Sequence, residues 1–318
     1  MKKGQISSLF KYIFGFVAGA LFLIFFVTFG YNYLGFAGSL GSTELVVFLD
    51  DSLSTLSVSS AVEDTLDVGQ TLDFQIYEGM ISSNSRSKST NKIIYSAFAL
   101  EGKKIGVASR ELSVPYSVGN LFYLDDGTTL YVVVYDSMTS ELLDDLNLFS
   151  FMNLIEMDTN DFDINAVKAV ESGFDKVRFI FLTKNNYKTQ ISSIKNYDVL
   201  EVSSPVEGYG TISYEDGDVI YLGNEMLLGG ILCENAVAYE FNLDLVFEKM
   251  NVVTGVYYDK AKFLSTRLPN CGYTPIKTAL NNYKSYVGNV DSASSYASKV
   301  ENLDDLNKVL GGDCPEIY

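Results

Sequence analysis

Between Tyr12 and Gly38 lie 27 consecutive residues without a charge. About 20 apolar residues cross the hydrocarbon core of a bilayer, so this run predicts one membrane-spanning helix over residues 12–38. Lys2, Lys3 and Lys11 precede it, and every acidic residue follows it, from Glu44 onward. This asymmetry predicts a cytoplasmic segment 1–11 and an outward-facing remainder from residue 39. A cleaved secretory signal is the competing reading. The run exceeds an ordinary signal core, and only Ala37-Gly38-Ser39 offers small residues for cleavage. Gly15 and Gly19, four residues apart, suit close contact between two such helices.

The charge beyond the span sets the partners. Of 23 Lys and Arg, three precede the run, leaving 20 against 40 acids. A domain this acidic repels nucleic acid and anionic lipid heads, so neither is expected as a partner. The expected partners are the membrane itself, through the single span, and other envelope proteins. The chain has no histidine, which removes Ser-His-Asp and Cys-His catalysis and HExxH zinc sites. With 21 Phe, 22 Tyr and a 47% hydrophobic fraction, the chain has ample apolar material for a large core.

Hydrophobic periodicity divides the outward part into three. Residues 39–112 carry a short amphipathic helix capped by Thr43, strands at Leu72–Tyr77 and Lys92–Phe98, and a polar Ser-rich loop over 81–91 between them. Residues 113–232 alternate strands with helical stretches of about ten residues. Strands are predicted at 121–124, 130–135, 153–157, 176–182 and 198–202, helices at 140–149, 164–172 and 187–196, and a hairpin at 211–222 turning at Asp216-Gly217. This alternation predicts a Rossmann-like α/β domain with antiparallel edge strands. Residues 233–318 are helical: Leu243, Val246, Phe247, Met250, Val253, Tyr257, Ala261 and Leu264 form one stripe that stops before Pro269. Pro275 opens a second helix, and a third ends at Gly311-Gly312, giving a C-terminal helical hairpin or bundle.

Three groups of residues invite a functional reading. Cys233, Cys271 and Cys314 lie in a compartment that permits disulfides. If 235–268 is a single helix, its ends lie about 50 Å apart, which disfavours Cys233–Cys271. If the later helices run the length of the first, Cys314 meets Cys233; if they form a short hairpin, it meets Cys271. The preferred bridge is Cys233–Cys314. Asp158, Asn160, Asp161 and Asp163 crowd oxygen atoms together as a Ca²⁺ or Mg²⁺ site would. They lack the glycine and closing glutamate of a calcium loop, and Asp163 suits a helix cap. Asp125-Asp126 follows a strand, but Gly127 makes them a turn. No GxGxxG, P-loop or Asn-x-Ser/Thr sequence occurs, and Ile231–Cys233 after Gly229-Gly230 reads as a packed connection. No catalytic residue, metal or cofactor is assigned.

Two resemblances accompany these readings. The start, Lys2-Lys3-Gly4-Gln5 before Ile6-Ser7-Ser8-Leu9, resembles an archaeal type IV pilin signal cut after Gly4, with Leu9 where such signals carry glutamate. Lys92–Ser96, Leu112–Leu124, Tyr239-Glu240 with the following Tyr258–Leu264, Asn270-Cys271 and the closing Asp313–Tyr318 resemble a group of single-pass membrane proteins of small-genome, DPANN-type archaea. Where that group places cysteine after the Tyr-Glu pair, this chain has Phe241. The resemblance implies the anchor and the three-part layout and no activity. Together these features predict a membrane-anchored, non-enzymatic envelope module for binding or assembly. The alternatives are a pilin-like filament subunit and a carboxylate- or cation-dependent hydrolase.

Overall fold

A computed structural model describes residues 43–57, 61–84, 86–184, 187–287, 290, 292–310 and 314–318. The predicted span, the segment 1–11 and the Gly15/Gly19 pair lie outside the described residues. Among the described residues no helix is long and apolar enough to cross a membrane.

The fold is mixed α/β, with two six-stranded sheets and a helical C-terminal region. Helix α1 covers residues 43–56. The first sheet contains β1 (Ala61–Tyr77), β2 (Met80–Ser83), β3 (Arg86–Ser89), β4 (Ile93–Tyr95), β5 (Ala99–Ser113) and β6 (Ser117–Asp125), in the order β3-β2-β1-β5-β6-β4. All its pairs are antiparallel except β4–β6. Two expectations fail here. The polar stretch 81–91 forms the β2–β3 hairpin rather than a loop, because its serines pair through backbone and need no apolar side chain. The strand expected to open the α/β domain at residue 121 is β6, which pairs with β5 of the first sheet.

The second sheet contains β7 (Thr129–Tyr135), β8 (Asn153–Asp158), β9 (Lys176–Phe181), β10 (Tyr197–Val202), β11 (Tyr209–Ser213) and β12 (Asp218–Leu222), in the order β12-β11-β10-β9-β7-β8. Its β8, β7, β9 and β10 are mutually parallel, and β11–β12 is an antiparallel hairpin at the edge. Helices α2 (Ser140–Leu146), α3 (Ile164–Val170) and the one-turn α4 (Lys188–Ile191) connect the parallel strands.

Side-chain alternation along each strand places one face on each core. On β7, Tyr131 and Val133 face the central core, while Leu130, Val132 and Val134 face α3 and α4. On β6, Leu121 and Tyr123 face the central core, while Phe122 and Leu124 face α1 through Val46, Leu49 and Leu53.

The stretch read as a packed connection is helix α5 (Asn224–Leu232), and it lies between the two sheets. Met226 through Leu232 are all buried. Each large apolar side chain among them contributes roughly 1.5–3 kcal/mol by leaving water. Gly229 and Gly230 make the position attainable. A Cβ on Gly229 would sit 2.7 Å from the Tyr95 ring of the first sheet, and one on Gly230 would sit 2.1 Å from Ile212 of the second. Only glycine lets both sheets close on the same turn of helix.

Helix α6 (Ala236–Arg267) begins at Asn235, whose side chain accepts from the Ala238 N–H, and stops before Pro269. α7 (Thr274–Val287) and α8 (Ala293–Val309) fold back on it.

Candidate functional site

Three groups of charged residues bear on a site: those sealed into the core, those engaged in turns, and those lining grooves.

The sealed group centres on Arg178. It stands in β9 among Val177, Phe179, Ile180 and Phe181, and is 3% exposed. In the parallel register Arg178 lies opposite Asp198 of β10. Its Nε donates to both Asp198 oxygens at 3.1 and 3.0 Å, and Nη2 donates to Oδ2 at 2.6 Å. The remaining donors reach the end of α5: Nη1 to the Ile231 and Cys233 carbonyls at 2.9 and 2.5 Å, and Nη2 to Glu234 O at 3.1 Å. Helix ends leave carbonyls without partners, and the guanidinium supplies them where water cannot reach. The Tyr214 hydroxyl donates to Gly230 O at 2.6 Å, and that of Tyr123 to Glu225 O at 2.8 Å. Lys176 bridges Asp198 and Glu234 at 2.8 and 3.0 Å. Burial opposes the charge on Asp198, but Arg178 and Lys176 outweigh it and hold the carboxyl below its ordinary range.

Asp125 is the second sealed carboxylate. It ends β6 at 4% exposure; Oδ1 accepts from the Tyr131 hydroxyl at 3.1 Å, and Oδ2 has no partner among the described residues. Burial pushes its pKa up to about 7. Its neighbour Asp126 forms the expected turn: Oδ1 accepts from Thr128 N at 2.9 Å, and Gly127 takes φ 75°.

The carboxylates near the outer ends of the parallel strands are engaged in turns. Asp136, after β7, accepts from Met138 N, Thr139 N and the Thr183 hydroxyl. That hydroxyl bond is the main cause holding its pKa down. Asp158 accepts from Asn160 N at 2.7 Å, and Asp163 from Asn165 N at 2.9 Å as the cap of α3. Asp158 and Asp163 thus act locally, each on its own turn. No group of three potential metal ligands converges among the described residues.

The cysteines depart from the preferred pairing. The bridge is Cys271–Cys314, with Cα atoms 5.5 Å apart, while Cys233 is a buried free thiol. Cys233–Cys314 fails for a reason of length. At 1.5 Å per residue α6 is about 48 Å long and α7 only about 21 Å. α7 therefore returns less than half of the way, and α8 brings the chain back to the end of α6 where Cys271 stands. Burial pushes the Cys233 thiol up to about 12, so it is no nucleophile. The tail is also held without the disulfide. Asn307 accepts from Ile317 N at 2.7 Å and donates to Tyr318 O at 2.9 Å. Lys260 donates to Ile317 O at 2.7 Å, and Tyr273 to Pro315 O at 2.9 Å.

Comparison with known proteins finds no matching family model, no matching curated protein and no matching solved structure.

One groove, of about 540 Å³, lies between α8 and the β11–β12 edge and is lined by Tyr209, Tyr296, Glu301, Asp304 and Lys308 among others. Another, of about 670 Å³, lies beside the first half of β10, lined by Tyr197, Asp198, Val199, Glu201, Tyr214 and Glu215 among others. Both have the size of ligand sites. The second exists because the β11–β12 hairpin is short: β10 pairs with β11 only at Glu201–Ser213 and Val202–Ile212. Beyond Ser213 the chain turns away, Tyr214 N donating to Gly217 O at 2.9 Å.

Sequence reasoning overlooked Arg178 and Asp198, and it read Asp125 as a turn residue beside Asp126, whereas Asp125 is the buried last residue of β6. A signal existed for the first two: an arginine inside the apolar run Lys176–Leu182 of a parallel sheet needs a partner, and Asp198 stands near the start of the next parallel strand.

Proposed function

We propose that this chain is a membrane-anchored module facing the oxidising side of the membrane, whose outward part binds or assembles with other envelope proteins. The observation that carries the reading is the Cys271–Cys314 bridge, because such bonds persist in extracytoplasmic compartments. It combines with the uncharged run over residues 12–38 and the lysines before it. Binding is favoured over chemistry by how the carboxylates are used: Asp136, Asp158 and Asp163 organise their own turns, while the two larger grooves open on the surface. The DPANN-type resemblance fits the anchor and adds no activity.

The test uses the full chain in intact cells. Added protease should digest the region from residue 43 onward, and non-reducing peptide mapping should recover Cys271 linked to Cys314. Protection of residues 43–318 from protease, or recovery of both cysteines as free thiols, refutes the reading.

A further inference from the structure

Helix α6 buries one side and leaves the other open. Tyr239, Val246, Met250 and Ala261 are buried in the central core. On the opposite side Val252 is 70% exposed, Val256 63% and Phe263 59%. Spacings of four and seven residues put the three on one face. A single exposed valine is ordinary, but neighbouring ones on one face mark a contact surface. Side chains four apart form a continuous ridge along a helix. The ridge through the two valines reads Glu240, Asp244, Glu248, Val252, Val256, Lys260, and all six are exposed. It carries acids at one end, apolar side chains in the middle and a cation at the other end. The acids repel one another at this spacing, and none of them forms an ion pair with a described residue.

We propose that this ridge is a homodimer contact, in which a second copy of the chain lays its own α6 ridge against it in the reverse direction. The order of charges selects both the occupant and its direction. Reversal about a two-fold axis midway between Val252 and Val256 sets Val252 against Val256 of the second copy. The same operation sets Glu248 against Lys260 of the second copy, and Asp259 against Lys249. A parallel copy would set acid on acid. Two surfaces related by a two-fold axis must be self-complementary, and this ridge meets that condition when read backwards. Packing of i,i+4 ridges on one another is the commonest helix crossing in globular proteins. Lys260 donates to Ile317 O at 2.7 Å, and its ammonium keeps two further protons for a carboxylate. Three apolar side chains and two kinds of charge pair make a small contact, so association should be reversible and in the micromolar range. The contact goes beyond the anchored-module reading and stands if that reading fails.

The test is sedimentation equilibrium of the full chain in detergent. The average protein mass should rise from one copy toward two as concentration passes through the micromolar range. Val252→Gln with Val256→Gln should weaken association about tenfold. The same variant should leave the thermal midpoint of the dilute protein unchanged, because both side chains already face water. Glu248→Lys should also weaken association about tenfold. Direction is read by cysteine pairing under mild oxidation. Cys233 is buried and Cys271 is bridged to Cys314, so the introduced thiols are the ones free to react. A Val252→Cys chain mixed with a Val256→Cys chain should cross-link faster than either chain alone.

A single-copy mass at every concentration overturns the inference. So does association that the double glutamine variant or Glu248→Lys leaves unchanged, which would place the contact elsewhere, as at Gly15 and Gly19. Cross-linking of Val252→Cys with itself as fast as in the mixture marks a parallel pair and overturns it too. Cross-linking of Val252→Cys to a different protein in native membranes would give the face to another partner, with the same consequence.

Discussion

Asp198 and Asp125 are carboxylates removed from bulk water in the same molecule, and their pKa values move in opposite directions. Asp198 faces a guanidinium bonded through two nitrogens and a second cation, Lys176. Asp125 has a single tyrosine hydroxyl on one oxygen and no partner on the other among the described residues. Burial raises both carboxyl pKa values, and the number and charge of the partners decide the sign. The contrast extends to what each site does. Around Asp198 the network ties β9, β10 and the end of α5 together. Around Asp125 the junction between β6 and β7 holds a group that is half protonated near pH 7.

The largest effect should come from breaking the paired site. Arg178→Met leaves Asp198 without its principal cation and the carbonyls of Ile231, Cys233 and Glu234 without donors. Loss of one partner from a buried pair costs about 3–5 kcal/mol, readable as a fall in the denaturant midpoint. An unchanged midpoint would mean that the guanidinium does not hold α5.

The second prediction concerns pH. The folded state binds the Asp125 proton more tightly than the unfolded chain, whose pKa stays near 3.8. This contribution is therefore complete below pH 3.8 and is lost as pH rises through about 7, amounting to up to about 4 kcal/mol. Asp198 has the reverse sign: its contribution is present above the unfolded value and lost as pH falls through its depressed one. Denaturation at a series of pH values should show stability declining from pH 5 to 8, and Asp125→Asn should flatten that decline. A decline unaltered in Asp125→Asn would place its origin elsewhere.

Two smaller changes sharpen the comparison. Tyr131→Phe removes the one hydroxyl that Asp125 accepts from and should cost about 1 kcal/mol, with the decline in stability moving to higher pH. Lys176→Ala removes a partner that is 23% exposed and should cost under about 1 kcal/mol. A loss as large as that of Arg178→Met would show that both cations are indispensable to Asp198.

The parallel strands were legible in the sequence because each follows or precedes a helical stretch, and β7 carries a continuous apolar run. Lys176–Phe181 is buried on both faces, and such a strand looks the same whichever sheet neighbour it has. The first sheet was largely illegible. β5, over most of which the sequence predicts no element, contains Gly102, Lys103, Lys104 and Gly106, yet it is the longer partner of β1. Long antiparallel ribbons draw on backbone pairing, which no hydrophobic pattern reports. Helix α5 was hidden by Gly229-Gly230: glycine disfavours helix in isolation, and here the space between two sheets overrides that preference. The disulfide turned on the length of α7, which ends at Val287. The acidic lining of the β10 groove was visible as residues, but its openness depends on a hairpin whose pairing with β10 stops at Ser213.

The position of α5 also bears on the order in which the chain can be completed. Every strand of both sheets ends by Leu222, and α5 starts only at Asn224. As the polypeptide emerges from N- to C-terminus, two apolar sheet faces are made before the segment that fills the space between them. Until residues 224–232 arrive, Tyr95, Tyr123 and Ile212 have no helix to pack on. Long-range contacts of this kind make assembly late and concerted, and intermediates expose apolar surface. A nascent chain arrested after Leu222 should therefore bind a hydrophobic dye strongly and lose that binding once α5 is added. The two sheets, though separate in hydrogen bonding, share one core whose helical filling, from α5 onward, comes last in the chain.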